Sequence, residues 1–196
     1  MALLTATLGV PTGRLPGRRR RLWLALLLSL AAGAAAAAAE LRDYEVKAVF
    51  LFNFAQFVDW PQAAFGDAQS PLVIGILGED PFGAYLDETV RGERVKDRPL
   101  VVHRYSRVEE VADCQILFIS SSESGRLEQI IESLRGRSIL TVGELDGFSR
   151  MGGIIRFVTE KNKIRLRINL GAAKAAGLTI SSKLLRPAEI VSRRRD

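Results

Sequence analysis

One cysteine and one histidine are found in this 196-residue chain, and the first 39 positions hold no acidic residue. A lone Cys114 excludes an intramolecular disulfide, so a packed core must supply the stability. The thiol precedes the apolar run Ile116 to Ile119. It reads as a small buried hydrophobe, with intermolecular pairing in an oxidising compartment as the sharper alternative. A Ser–His–Asp site would have only His103 to use. The sequence has no G-x-S-x-G elbow, no H-E-x-x-H, no Walker A loop and no C-x-x-C. Gly75, Gly78 and Gly83 do not make a dinucleotide fingerprint, and Ser120 stands where a receiver phosphoacceptor would need an aspartate. A non-enzyme without metal or cofactor is therefore expected.

The formal charge of +6 suggests nucleic acid until its distribution is read. Five arginines (Arg14 and Arg18 to Arg21) lie in the acid-free leader, and removing them leaves 23 basic against 22 acidic residues. Arg193 to Arg195 add charge only to a tail expected to fray. A near-neutral body has no electrostatic footprint for DNA or RNA.

Arg18 to Arg21 are followed by Leu22-Trp23-Leu24-Ala25-Leu26-Leu27-Leu28 and then by alanines up to Ala39. A basic start, a short leucine core and the small-residue site Ala37-Ala38-Ala39 describe a secretory signal peptide over residues 1–39, cut before Glu40. The competing reading is an uncleaved anchor, since Leu22 to Ala39 reaches the lower spanning length of about 18 residues. The arginines ahead of Leu22-Trp23 also suit twin-arginine export. Either way the folded part, residues 40–196, lies outside the cytoplasm as one domain. At this size roughly 70% of the unfolded surface is buried on folding, enough for a stable core.

Past Asp43, a possible N-cap, a helix is expected from Tyr44 to Trp60, ended by Pro61. Its helical series Val46, Val49, Phe50, Asn53, Phe54 and Phe57 reads as the core face, with a partner surface as the alternative. Strand–helix alternation follows. Strands are read at Leu72 to Leu77, Leu100 to Val102, Gln115 to Ser120 and Ser138 to Val142. Between them lie a helix capped by Asp80 with Pro81 at its first position, a weak helix at Val108 to Val111, and a helix capped around Ser122 to Ser124. Continuous apolar strands separated by amphipathic helices give an α/β fold: a mainly parallel sheet with helices on both faces. Near the C-terminus, Ile154 to Thr159 and Lys163 to Leu170 form an antiparallel hairpin, which pairs Glu160 with Lys163, Phe157 with Leu166 and Arg156 with Arg167. A short helix at Ala172 to Ala176 and a closing segment from Ile180 to Val191 complete the chain.

Three candidate surfaces emerge. The crevice at the strand ends, where open α/β sheets take ligands, carries Gly78, Asp80, Ser120 and Ser121, which could hold an anion or serve only as caps. One hairpin face gathers Arg156, Lys163, Arg165 and Arg167, relieved only by Glu160. Like charges opposed across a strand pair repel, so this face invites an acidic partner. Trp60 and Phe82 form an aromatic edge.

Several stretches, in order, resemble the YfiR family of small periplasmic proteins. They are Lys47 to Phe54 with Phe57-Val58-Asp59-Trp60-Pro61, Gly78 to Gly83, Cys114 to Ile119, Ile139 to Gly143 with Gly147-Phe148, Gly153 to Phe157, Ile168 to Leu170 and Gly177 to Leu185. The resemblance implies a repressor that binds the periplasmic sensor part of an inner-membrane diguanylate cyclase and lowers cyclic-di-GMP synthesis. An outer-membrane lipoprotein that sequesters it and a homodimer are further implied. Some members use cysteine pairs for redox control; with Cys114 alone, this chain departs from that pattern and has no intramolecular switch. A periplasmic small-ligand binding protein for nucleotides or amino acids is the alternative class.

Overall fold

The computed structural model describes residues 41–161 and 163–192; the expected signal peptide and the Arg193 to Arg195 tail lie outside the described residues. A helix over residues 41–57, α1, leads into a two-residue strand β1 (Val58–Asp59). The main sheet has eight strands. They are β2 (Leu72–Leu77), β3 (Arg94–Val95), β4 (Arg98–Tyr105), β5 (Ile116–Ile119), β6 (Leu140–Gly143), β7 (Ile155–Glu160), β8 (Lys163–Asn169) and β10 (Glu189–Val191), in the order β10-β8-β7-β6-β5-β2-β4-β3. The remaining strand, β9 (Thr179–Ile180), pairs only with β1. The central pairs β4–β2, β2–β5, β5–β6 and β6–β7 are parallel. The hairpin β7–β8 is antiparallel, and its register pairs Arg156 with Arg167, Phe157 with Leu166 and Glu160 with Lys163, as the period-two pattern predicts.

Alternation along the strands builds two cores. Leu72, Ile74, Ile76, Ile116, Phe118, Phe157 and Leu166 pack beneath α1 and the helix α2 (Ala84–Val90). Val73, Leu77, Leu117 and Ile119 meet Ile130, Ile131 and Leu134 from helix α3 (Leu127–Ser133) on the other side, together with Phe148 of the short helix α4 (Phe148–Met151). Both faces are covered, which is why the strands read as unbroken apolar runs.

Local details depart from the sequence reading. Helix α1 is already formed at residue 41, so Asp43 is not its cap, and the chain turns extended at Val58 rather than running to Trp60. Asp80 does not cap α2 directly: its Oδ1 accepts the amides of Phe82 and Gly83 in a tight turn, and Gly83 holds the cap position. Ser120, not Ser122, opens the segment before α3 by accepting the Ser122 amide. β4 is longer than expected because it forms a hairpin with β3 around Lys96 and Asp97, both at positive φ. The closing segment is not one element. After the short helix α5 (Leu170–Ala175), it holds β9, the short helix α6 (Ser182–Leu185) and β10, which lies parallel to β8.

Candidate interaction surface

The crevice at the carboxyl ends of the parallel strands is filled by the protein's own side chains. Glu144, just past β6, accepts a hydrogen bond from Lys47 Nζ at 2.6 Å and one from the Tyr44 hydroxyl at 2.7 Å. The Lys47 ammonium also lies 4.1 Å over the Tyr44 ring, and Tyr44 meets Phe82 edge-on. The first turns of α1 thus sit over the strand ends. Gly78 takes φ +88° there, and a Cβ on it would lie 2.5 Å from Ser122 Oγ. That hydroxyl accepts the Glu79 amide, and Glu123 accepts Arg126 Nε at 2.6 Å. The structure brings Gly78 against the loop after Ser120 and Ser121, whereas Asp80 turns to Arg104 on β4, 2.7 Å away. Ser120 is buried and Ser121 exposed. Gly78, Asp80 and Ser120 are thus used in a turn, a cap and an ion pair.

The basic hairpin face is not open in the way its sequence suggests. Arg156 is only 7% exposed and pairs with Asp146 from the loop after β6. β10 lies beside β8 and sets Glu189 opposite Arg167, where it accepts Arg167 Nε at 2.9 Å; Glu160 adds a longer contact. The opposed arginines are therefore neutralised within the fold, and Arg165 is the exposed arginine of the three. The return of Glu189 from 22 residues downstream carries no local sequence signal.

Trp60 and Phe82 do not share an edge. The Trp60 indole donates to the Gln115 carbonyl at 3.1 Å, at the entry to β5. Phe82 is buried beyond the exit of β2, edge-on to Phe118 at 4.8 Å. The tie at the Trp60 end is Gln115, itself buried, which donates to the Ala64 carbonyl and accepts the Val73 amide. In the sequence Gln115 is the first residue of an expected strand, and a lone amide at the head of an apolar run is its signal.

Exposed large apolar side chains lie on α1 (Leu41, Val46 and Val49) and singly elsewhere, at Tyr85, Leu170 and Ile190. The buried stripe of α1 is Lys47, Ala48, Leu51, Phe54 and Ala55, continued by Val58 of β1. Val46 and Val49 are 47% and 41% exposed, with Phe50, Asn53 and Phe57 half-buried beside them. Of the face expected to enter the core, Phe54 is buried and Phe50 and Phe57 pack half-buried against it, while Val46 and Val49 turn outward. Ala48 and Ala55 let the helix approach the sheet closely, and Glu144 makes burial of Lys47 tolerable.

A family model described as YfiR/HmsC-like matches residues 44–189. The chain belongs to the YfiR/HmsC-like family. This is a regulatory family rather than a catalytic one. No curated protein matches the chain. As a YfiR/HmsC-like protein this one has a thiol that is structural: Cys114 is buried, its Sγ lies 3.0 Å from the Ile116 carbonyl, and burial pushes its pKa up to about 12. The nucleophilic thiolate is thus scarce at neutral pH. Among the described residues no helix is long and apolar enough to cross a membrane.

Proposed function

We propose that this YfiR/HmsC-like protein is a periplasmic negative regulator, exported by a cleaved signal peptide. It binds the periplasmic sensor region of an inner-membrane diguanylate cyclase and lowers cyclic-di-GMP synthesis, and an outer-membrane lipoprotein relieves it by sequestration. The family match over residues 44–189 carries this reading. A repressor needs no reacting group, only a surface whose affinity differs between two states of its partner. The outward stripe of α1 suits that role: Val46 and Val49 offer apolar contact, with Arg42, Glu45 and Gln56 exposed or half-exposed around them. Of the residues singled out from sequence, Trp60 and Arg165 retain access to solvent and are secondary contacts in this proposal.

The test is a titration of the mature protein against the periplasmic segments of the host's membrane-bound diguanylate cyclases, expressed one by one. Saturable binding to one of them is expected, and Val46→Asp with Val49→Asp should weaken it at least about tenfold while leaving the fold intact. Equal affinity of wild type and variant would remove α1 as the contact.

Small-ligand binding is the second reading. It is favoured by a cavity of about 500 Å³ at the end of the sheet away from the filled crevice, lined by Leu134, Ile139, Met151, Ile154 and Val191, with Asn169 as a polar group.

A further inference from the structure

The second helical layer stops short of one corner of the sheet. Helix α3 ends at Ser133 and α4 has only four residues. Beside Thr141 of β6, Asn169 of β8 and Val191 of β10 they leave the cavity of about 500 Å³, a volume in the range of small-molecule sites. Helix α5 contributes only glycine and alanine to its wall. Ala172, Ala175 and Ala176, spaced i, i+3 and i+4, share one helix face there.

The chemistry of the wall selects among ligands. Its two buried polar side chains are already occupied. Asn169 Oδ1 accepts the Ala172 amide and its Nδ2 donates to the Ser149 carbonyl, each at 3.0 Å, while Thr141 Oγ1 accepts the Ile154 amide at 3.0 Å. No aspartate or glutamate lines the cavity, so the ammonium of an amino acid would find no counter-charge. The rim has a different character. Arg135, Gly136 and Arg137 follow one another there, the first two exposed and Arg137 half-buried. Arg137 donates to the Ala112 carbonyl, and among the described residues its charge meets no carboxylate. Arg135 meets Glu132 in an exposed pair, of a kind that a competing carboxylate displaces at little cost. The Gly136 amide has no acceptor among the described residues, and a Cβ on Gly136 would meet nothing within 4 Å, so the backbone stands open at this point.

We propose that this cavity binds a medium-chain fatty acid, with its alkyl chain against Leu134, Ile139, Met151, Ile154 and Val191 and its carboxylate at Arg135 to Arg137. An alkyl chain asks for no hydrogen bond from a wall whose buried polar groups are spent, and burying it is favourable in itself. A carboxylate takes charge-assisted bonds from guanidinium groups and accepts from a free amide. This inference deepens the small-ligand reading and rests on it; it does not depend on the repressor reading.

In a chain begun at residue 40, Met151 is the one methionine apart from the initiator. A carbon-13 label on the methionine methyl therefore reports from the cavity wall. Titration with decanoate should shift the Met151 signal saturably, with a Kd below about 1 mM. Decyltrimethylammonium, the same chain on a cationic head, should bind at least about tenfold more weakly. Ala175→Phe fills the cavity from an exposed helix position and should abolish the decanoate shift with an unchanged circular-dichroism spectrum. Arg135→Gln with Arg137→Gln should weaken decanoate about tenfold and leave decanol unaffected. This rim pair keeps the proposal falsifiable if Ala175→Phe does not fold. No saturable shift with decanoate would overturn the proposal, as would equal binding of the cationic amphiphile or decanoate binding undiminished in either variant. A shift with leucine or AMP and none with decanoate would overturn the fatty acid and leave small-ligand binding standing.

Discussion

Gly153→Ala is expected to lower the stability of the domain by about 1–3 kcal/mol, an unusually large loss for one added methyl. A Cβ at Gly153 would lie 2.2 Å from two ring carbons of Phe148, and one at Gly143 would lie 2.5 Å from a carbon of the same ring. The two glycines, one ending β6 and one just ahead of β7, clasp that ring. Phe148 is fully buried and cannot swing away. Gly153 does not adopt a positive φ, so the penalty is steric rather than conformational. Phe148→Ala alone should cost about 3–5 kcal/mol. Combined with Gly153→Ala it should cost less than the two losses added, because the new methyl enters vacated space. Urea unfolding of the two single variants and the double gives the coupling. Strict additivity would mean that the ring yields elsewhere.

Loss of Glu144 is the second large effect. Its carboxylate pairs with Lys47, whose side chain is only 7% exposed. Removing one member of a buried pair leaves the other charge desolvated, so Glu144→Ala should cost about 3–5 kcal/mol. The Tyr44 ring beneath the ammonium softens this loss without removing it. Replacing both members, Lys47→Met with Glu144→Gln, should restore most of the stability, since buried pairs often exchange for uncharged groups at little cost. Thermal unfolding of the single and double variants decides the matter. A Glu144→Ala variant as stable as wild type would show that water reaches Lys47.

The sheet and the hairpin were readable from sequence for different reasons. Strands buried on both faces announce themselves as apolar runs, and period two around the Lys161 turn fixes the β7–β8 register. The β3–β4 hairpin was missed because its turn uses Lys96 and Asp97 at positive φ instead of an Asn-Gly or Asp-Gly pair. On α1, two adjacent stripes are both apolar, and periodicity cannot choose between them. The choice rests on small residues at 48 and 55 and on an acid 97 positions away from Lys47. The apparent surfaces failed in the same manner. Arg156 and Arg167 look unopposed until Asp146 and Glu189 arrive through tertiary structure, and Trp60 and Phe82 separate to opposite ends of the sheet. What each charge meets is a long-range property.

Cyclic-di-GMP in the cytoplasm of a clean deletion strain, with and without an exported copy of residues 40–196, tests the regulatory assignment most directly. The account predicts a rise on deletion that the exported copy reverses. An unchanged level would contradict repression and move the assignment to ligand binding at the cavity beside Asn169.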